Sequence, residues 1–133
     1  MSIRSELETK LKTFASAQTP ILPISFENVP FTRPTNSLWL ECYFMSGPTV
    51  TATVDATTNR ERGMWIVNCW SPSGIGAGKL DVLAAQIVNL FPVIPKVGTV
   101  SIEQPGSTSK MNITADGWAC IQVSFPYRVE SLA

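Results

Sequence analysis

The segment from Asn59 to Pro92 constrains the fold most, because it sets three kinds of local structure in fixed order. A charged run, Asn59-Arg60-Glu61-Arg62, precedes an apolar strand-like stretch from Gly63 to Trp70. Ser71-Pro72 closes that stretch, and Gly74, Gly76 and Gly78 make a glycine-rich connection. From Lys79 to Phe91, Leu80, Leu83, Ala84, Ile87, Leu90 and Phe91 fall on one helical face, and Pro92 stops the helix. Strand, glycine loop and helix in series is the layout of a phosphate-binding site, yet each register fails. A Walker A loop would need Gly where Ser73 stands and Ser or Thr where Leu80 stands. A dinucleotide fingerprint would need its third glycine at Lys79, and no acidic residue follows at the ribose-binding distance. The glycines therefore read as a flexible connection that opens a helix.

The rest of the chain supplies strands and one more helix. Ile3, Leu7, Leu11 and Phe14 recur at helical spacing between Ser2, an N-cap, and the Gln18-Thr19-Pro20 break. Four prolines between Pro20 and Pro34 remove ladder donors, so that segment is restricted to an edge strand or a strap. From Leu38 to Met45 both alternating sets are rich in apolar side chains, which predicts cover on both faces. A second strand-like run from Thr49 to Val54 is expected to form a hairpin with Gly63–Trp70, its long polar tip running to Arg62. Val97 to Glu103 is strand-like, and Pro105 to Lys110 reads as a loop. After an Asp116-Gly117 turn, Ala119, Ile121, Val123, Phe125 and Tyr127 share one face of a strand from Trp118 to Val129. The order predicts a single α+β domain over residues 1–133: a mainly antiparallel sheet with two α-helices packed on it.

Composition then removes function classes. The ten basic and ten acidic residues cancel, leaving no field to hold a polyanion, so specific nucleic-acid binding is not expected. Histidine is absent, and with it the commonest general base and imidazole metal ligand. No catalytic set, cofactor or metal site is expected, and the chain reads as a non-enzyme. Asp55 and Asp81 do not make a working carboxylate pair, since one lies in a hairpin and the other suits a helix's first turn. Cys42, Cys69 and Cys120, odd in number and widely spaced, read as reduced buried thiols. Trp39, Trp65, Trp70 and Trp118 read as core or subunit interface. No cationic-then-apolar leader and no apolar run long enough to span a membrane is visible, which points to the cytoplasm and away from membranes. Apolar residues are 44% and charged residues 15%, a balance that suggests surface buried against other subunits.

The order and spacing of these segments resembles the tail-terminator family of long-tailed bacteriophages. The resemblance rests on Glu27-Asn28-Val29-Pro30-Phe31 followed by Pro34 and the Trp39 strand, and on Asn59-Arg60 with Arg62-Gly63 before a strand ending at Ser71-Pro72. The Gly74-to-Gly78 loop before a helix ending at Phe91, and Gly117-Trp118 leading to Pro126-Tyr127-Arg128, complete it. It implies a homohexameric ring on the last tail-tube ring that stops tube growth and offers a surface to the head's neck. The expected partners are the major tail-tube protein and a neck or head-completion protein. The expected location is the virion, after assembly in the host cytoplasm. Such a ring needs two different patches per subunit. The most adaptable projections are the hairpin tip and the Pro105–Lys110 loop, so Asn59, Arg60, Glu61, Arg62, Ser107 and Lys110 are the candidate interface residues. Alternatives are a neck or head-completion protein of the same fold, a monomeric binding module, and a small phosphate-binding enzyme using Gly74, Gly76, Gly78 and Lys79.

Overall fold

In the computed structural model, residues 3–18, 21–32, 34, 37–51, 58–72, 77–93, 101–114 and 117–132 are described. Their elements run α1 (Ile3–Ser16), β1 (Ile24–Ser25), β2 (Trp39–Thr51), β3 (Thr58–Pro72), α2 (Ala77–Leu90), β4 (Ser101–Ile102), β5 (Ser107–Thr108), β6 (Asn112–Ile113) and β7 (Trp118–Leu132). One sheet takes the order β1-β2-β3-β7-β4, and β5 and β6 also pair with β7. All pairs are antiparallel except β1 with β2. This is the expected α+β architecture.

Strand alternation divides the sheet into two faces. On the first lie Leu40 and Cys42 of β2, Trp65, Val67 and Cys69 of β3, and the predicted set Ala119, Ile121, Val123, Phe125 and Tyr127 of β7, all buried. Both helices cover this face. Leu7, Leu11 and Ala15 of α1 and Leu80, Leu83, Ala84 and Ile87 of α2 belong to the same core cluster. Phe91, just beyond α2, sits edge-on to Trp65 at 6.0 Å and to Phe125 at 5.1 Å, which locks helix to sheet.

Three sequence expectations are corrected. The run 38–45 and the part of the run 49–54 that is described, through Thr51, are one strand with a register shift between Ser46 and Thr49, and 52–54 lie outside the described residues. There the Gly47 backbone crosses so close to the Arg62 carbonyl that a Cβ would stand 2.0 Å from its oxygen. Asn59 to Arg62 are accordingly not a hairpin tip: they lie inside β3, with β2 on one side and β7 on the other. The Pro105–Lys110 loop contains β5, whose Ser107 pairs with Ser124. Of the strand expected over 97–103, Ser101–Ile102 is formed among the described residues, and 97–100 lie outside them.

Candidate assembly surfaces

The segment 24–34 shows how local chemistry shapes the sheet's edge. After β1 the chain leaves the ladder, and the Glu27 carboxylate takes the place of a strand partner by accepting the Phe44 backbone N–H. Arg4 on α1 holds that carboxylate at 3.0 Å and lies over the Phe44 ring at 5.4 Å. Asn28 then adopts φ 59°, a left-handed conformation that Asn tolerates, and Val29 donates back to the Phe26 carbonyl. This reversal sends Phe31 to the sheet's other face, 5.2 Å from Trp39. The described part of this segment is thus an edge strand at Ile24–Ser25 and a strap beyond it.

On that second face, Trp39 stacks on Trp70 at 5.3 Å and meets Trp118 edge-on at 6.1 Å. Trp65 alone of the four tryptophans belongs to the helix-covered core. Beyond the tryptophans the face opens. Tyr43 and Met45 of β2 are 38% and 56% exposed, and Ile66, Met64 and Pro126 beside them are half-buried. Apolar cover on both faces, as the alternation of Leu38–Met45 predicts, is present at the Trp39 end and lacking at the Met45 end.

The candidate interface residues divide by environment. Glu61 faces the core side, where its carboxylate accepts the Tyr127 hydroxyl at 2.8 Å. Gly63 leaves room for that tyrosine ring, since a Cβ there would lie 2.7 Å from it. Arg62 points to the open face, its side chain 58% exposed, and its Nε donates to Glu103 at 3.0 Å. Arg128, directly across from Arg62 on β7, approaches the same carboxylate at 4.0 Å. Arg60 is half-buried in the ladder between Val50 and Glu130, and the Asn59 backbone pairs with Thr51 and Ser131. Ser107 and Lys110 are exposed along the β7 edge, where Ser109 exchanges backbone and side-chain hydrogen bonds with Gln122. The register puts Ser107 four residues along β7 from the level of Arg62, about 13 Å along the strand, and on the other side of β7. The two predicted sets therefore lie at different levels of the sheet, Ser109 beside Lys110 at the level of Gln122 and Asn59 at the level of Ser131.

Glycines 74 and 76 lie outside the described residues; Gly78 and Lys79 sit in the first turn of α2, with Lys79 exposed. A groove of about 460 Å³ between α2 and the β5–β6 segment is lined by Asp81, Asn89, Thr108, Ser109 and Met111 among others. No group of His, Cys, Asp or Glu that could hold a metal occurs among the described residues. No described helix is long and apolar enough to cross a membrane. Asp55 lies outside the described residues, and Asp81 is exposed on α2. Cys42, Cys69 and Cys120 are free thiols, the first two buried and the third half-buried on the open-face side. Burial above all pushes Cys42 and Cys69 up to about 12 and Cys120 to about 11, so all three are held as inert thiols near neutral pH.

Sequence reasoning missed Glu41, Tyr43, Met45, Met64 and Ile66 as a surface, and missed the pairing of Arg4 with Glu27. The signal for the first was present in the two-sided apolar alternation of β2; the second pair is separated by 23 residues and leaves no local pattern.

The chain is thus a single sheet with helices on one face and, on the other, an apolar patch left open at Tyr43 and Met45. The family model described as phage tail terminator protein matches residues 2–127, and this chain belongs to that family, a family of structural components of phage tails. A solved structure that carries no functional name superimposes with a TM-score of 0.76 at 32% identity, covering 96% of this chain and 92% of the other. No curated protein sequence matches.

Proposed function

We propose that the protein is a tail terminator that assembles as a homohexameric ring on the last ring of the tail tube, stops its polymerisation, and presents the surface to which the head's neck attaches. The observation that carries this reading is the family match over residues 2–127. Its physical requirement is modest: one ring face must complement the tube, and the opposite face must be unable to accept another tube subunit. The charged and polar groups Arg60, Arg62, Ser107 and Lys110, with Asn59 and Glu61 in the same strand as the arginines, are the contacts we assign to neighbouring subunits or to the tube. Arginines on a strand can make bidentate bonds to a neighbour's carboxylates. The major tail-tube protein and a neck protein are then its partners, and the virion its final location.

Electron microscopy of particles assembled without this protein tests the reading. Tails of uncontrolled length and heads lacking tails are expected. Tails of normal length that fail only at head joining would instead identify a neck protein and overturn the terminator assignment.

A further inference from the structure

The open face of the sheet is ordered in rows, each two residues apart along the strands, and the rows differ in chemistry. Glu41, Asn68 and Gln122 form the first; Tyr43, Ile66 and Ser124 the second; Met45, Met64 and Pro126 the third; Arg62 and Arg128 the fourth. Two apolar rows are thus flanked by an acidic rim and a basic rim. Glu41 is an anion whose partners are neutral donors: Asn68 Nδ2 at 3.1 Å, Trp70 Nε1 at 3.2 Å and the Tyr43 hydroxyl. At the other rim, Glu103 engages the Nε of Arg62, whose side chain is 58% exposed.

These rows are self-complementary. A twofold axis between the second and third rows, lying across the strands, lays each apolar row of one sheet on the other apolar row of a second copy. The same operation puts the Arg62 row over the Glu41 row, and vice versa, so the basic rim, which two arginines share with one carboxylate of Glu103, meets the acidic rim twice. Arg62 and Glu41 then differ sideways by one strand spacing, about 4.8 Å, within an arginine's reach across sheets packed about 10 Å apart. We infer that two copies of this chain associate face to face through the Tyr43–Met45–Met64–Ile66 patch, with Arg62 of each copy paired to Glu41 of the other.

The apolar rows and their rims span about 20 Å along the strands and about 10 Å across them. That footprint is well below the roughly 800 Å² per partner of a standard interface, so the pair is weak and reversible. An isologous pair of this kind differs from the head-to-tail contacts of a ring, and the inference does not depend on the terminator reading. A dimer that never caps tubes would leave it standing, and capping by a strict monomer would remove it without touching that reading.

Analytical ultracentrifugation from about 10 µM to about 1 mM, the range in which so small an interface associates, is the test. The wild-type chain should pass reversibly from monomer to dimer. Met45→Asp, at an exposed position, should hold the chain monomeric with an unchanged melting curve. Arg62→Glu and Glu41→Arg should each be monomeric alone, because each sets like charges against one another, and an equimolar mixture of the two should recover the dimer. Should Glu41→Arg fail to fold, Met45→Asp and Arg62→Glu decide the matter by themselves. A wild-type monomer at the highest concentration, association only into species larger than a dimer, or a dimer indifferent to Met45→Asp and Arg62→Glu would each overturn the inference.

Discussion

Replacing Glu27 with Ala should test how the sheet's first edge is closed. The carboxylate does two things at once: it accepts the Phe44 N–H, which β1 is too short to reach, and it holds Arg4 of α1. A hydrogen bond to an ionised acceptor contributes about 1.5–3 kcal/mol net, and partial exposure of Phe44 places this one at the lower end, about 1.5 kcal/mol. The ion pair, with side chains 43% and 29% exposed, adds about 0.5 kcal/mol. Arg4 would also lose its tether over the Phe44 ring, a contact of about 0.5 kcal/mol at such a site. The expected loss is about 2–3 kcal/mol, which for a domain of this size lowers Tm by about 6–12 °C. Glu27→Gln keeps an acceptor for the N–H but not the charge, and should lose about half as much. Urea unfolding followed by tryptophan fluorescence measures both. A Glu27→Ala midpoint within about 0.5 kcal/mol of wild type, or equal damage from Gln and Ala, would refute the account of Glu27 as a strand-edge cap.

Three further outcomes are expected. Gly63→Ala would place a Cβ 2.2 Å from the Met45 carbonyl oxygen and 2.7 Å from the Tyr127 ring, so it should cost about 1–3 kcal/mol or more in a denaturant melt; a neutral variant would show that the strands move apart freely. Both tyrosines are raised above their ordinary value, Tyr43 to about 12 by burial and then by its hydrogen bond to Glu41, and Tyr127 by burial and then by Glu61. Since the unfolded phenol loses its proton first, their contribution to stability is complete below about pH 10 and falls as pH rises above it; absorbance at 295 nm should therefore show phenolate only well above pH 10 in the folded chain. Tyr127→Phe should lower stability by about 1–2 kcal/mol through loss of the bond to Glu61, and a variant as stable as wild type would show that this bond is replaced by water at no cost.

How far the sequence could be read depended on how local each decision was. The alternating set from Ala119 to Tyr127 and the stripe from Leu80 to Phe91 were legible because a strand repeats every two residues and a helix every 3.6, and a buried face must follow that repeat. Both sets are in the core. The motif from Glu27 to Phe31 was legible only as a resemblance; its reasons are a local left-handed turn at Asn28 together with an edge cap and a ring for Trp39, the last two defined by residues distant in sequence.

The charged run Asn59 to Arg62 marks the boundary between what the chain determined alone and what tertiary structure decided. By composition it is a turn, and in isolation nothing would hold it extended. In the fold, β7 continues to Leu132 and β2 to Thr51, so β3 finds ladder partners on both sides and stays a strand through its charges. Alternation then gives Glu61 to Tyr127 and Arg62 to the open face. Sequence by itself determined which side chains could share a face. Which face the helices cover, which is left open, and how far each strand runs were decided by long-range pairing, because a backbone hydrogen bond in a sheet exists only where another strand supplies its partner.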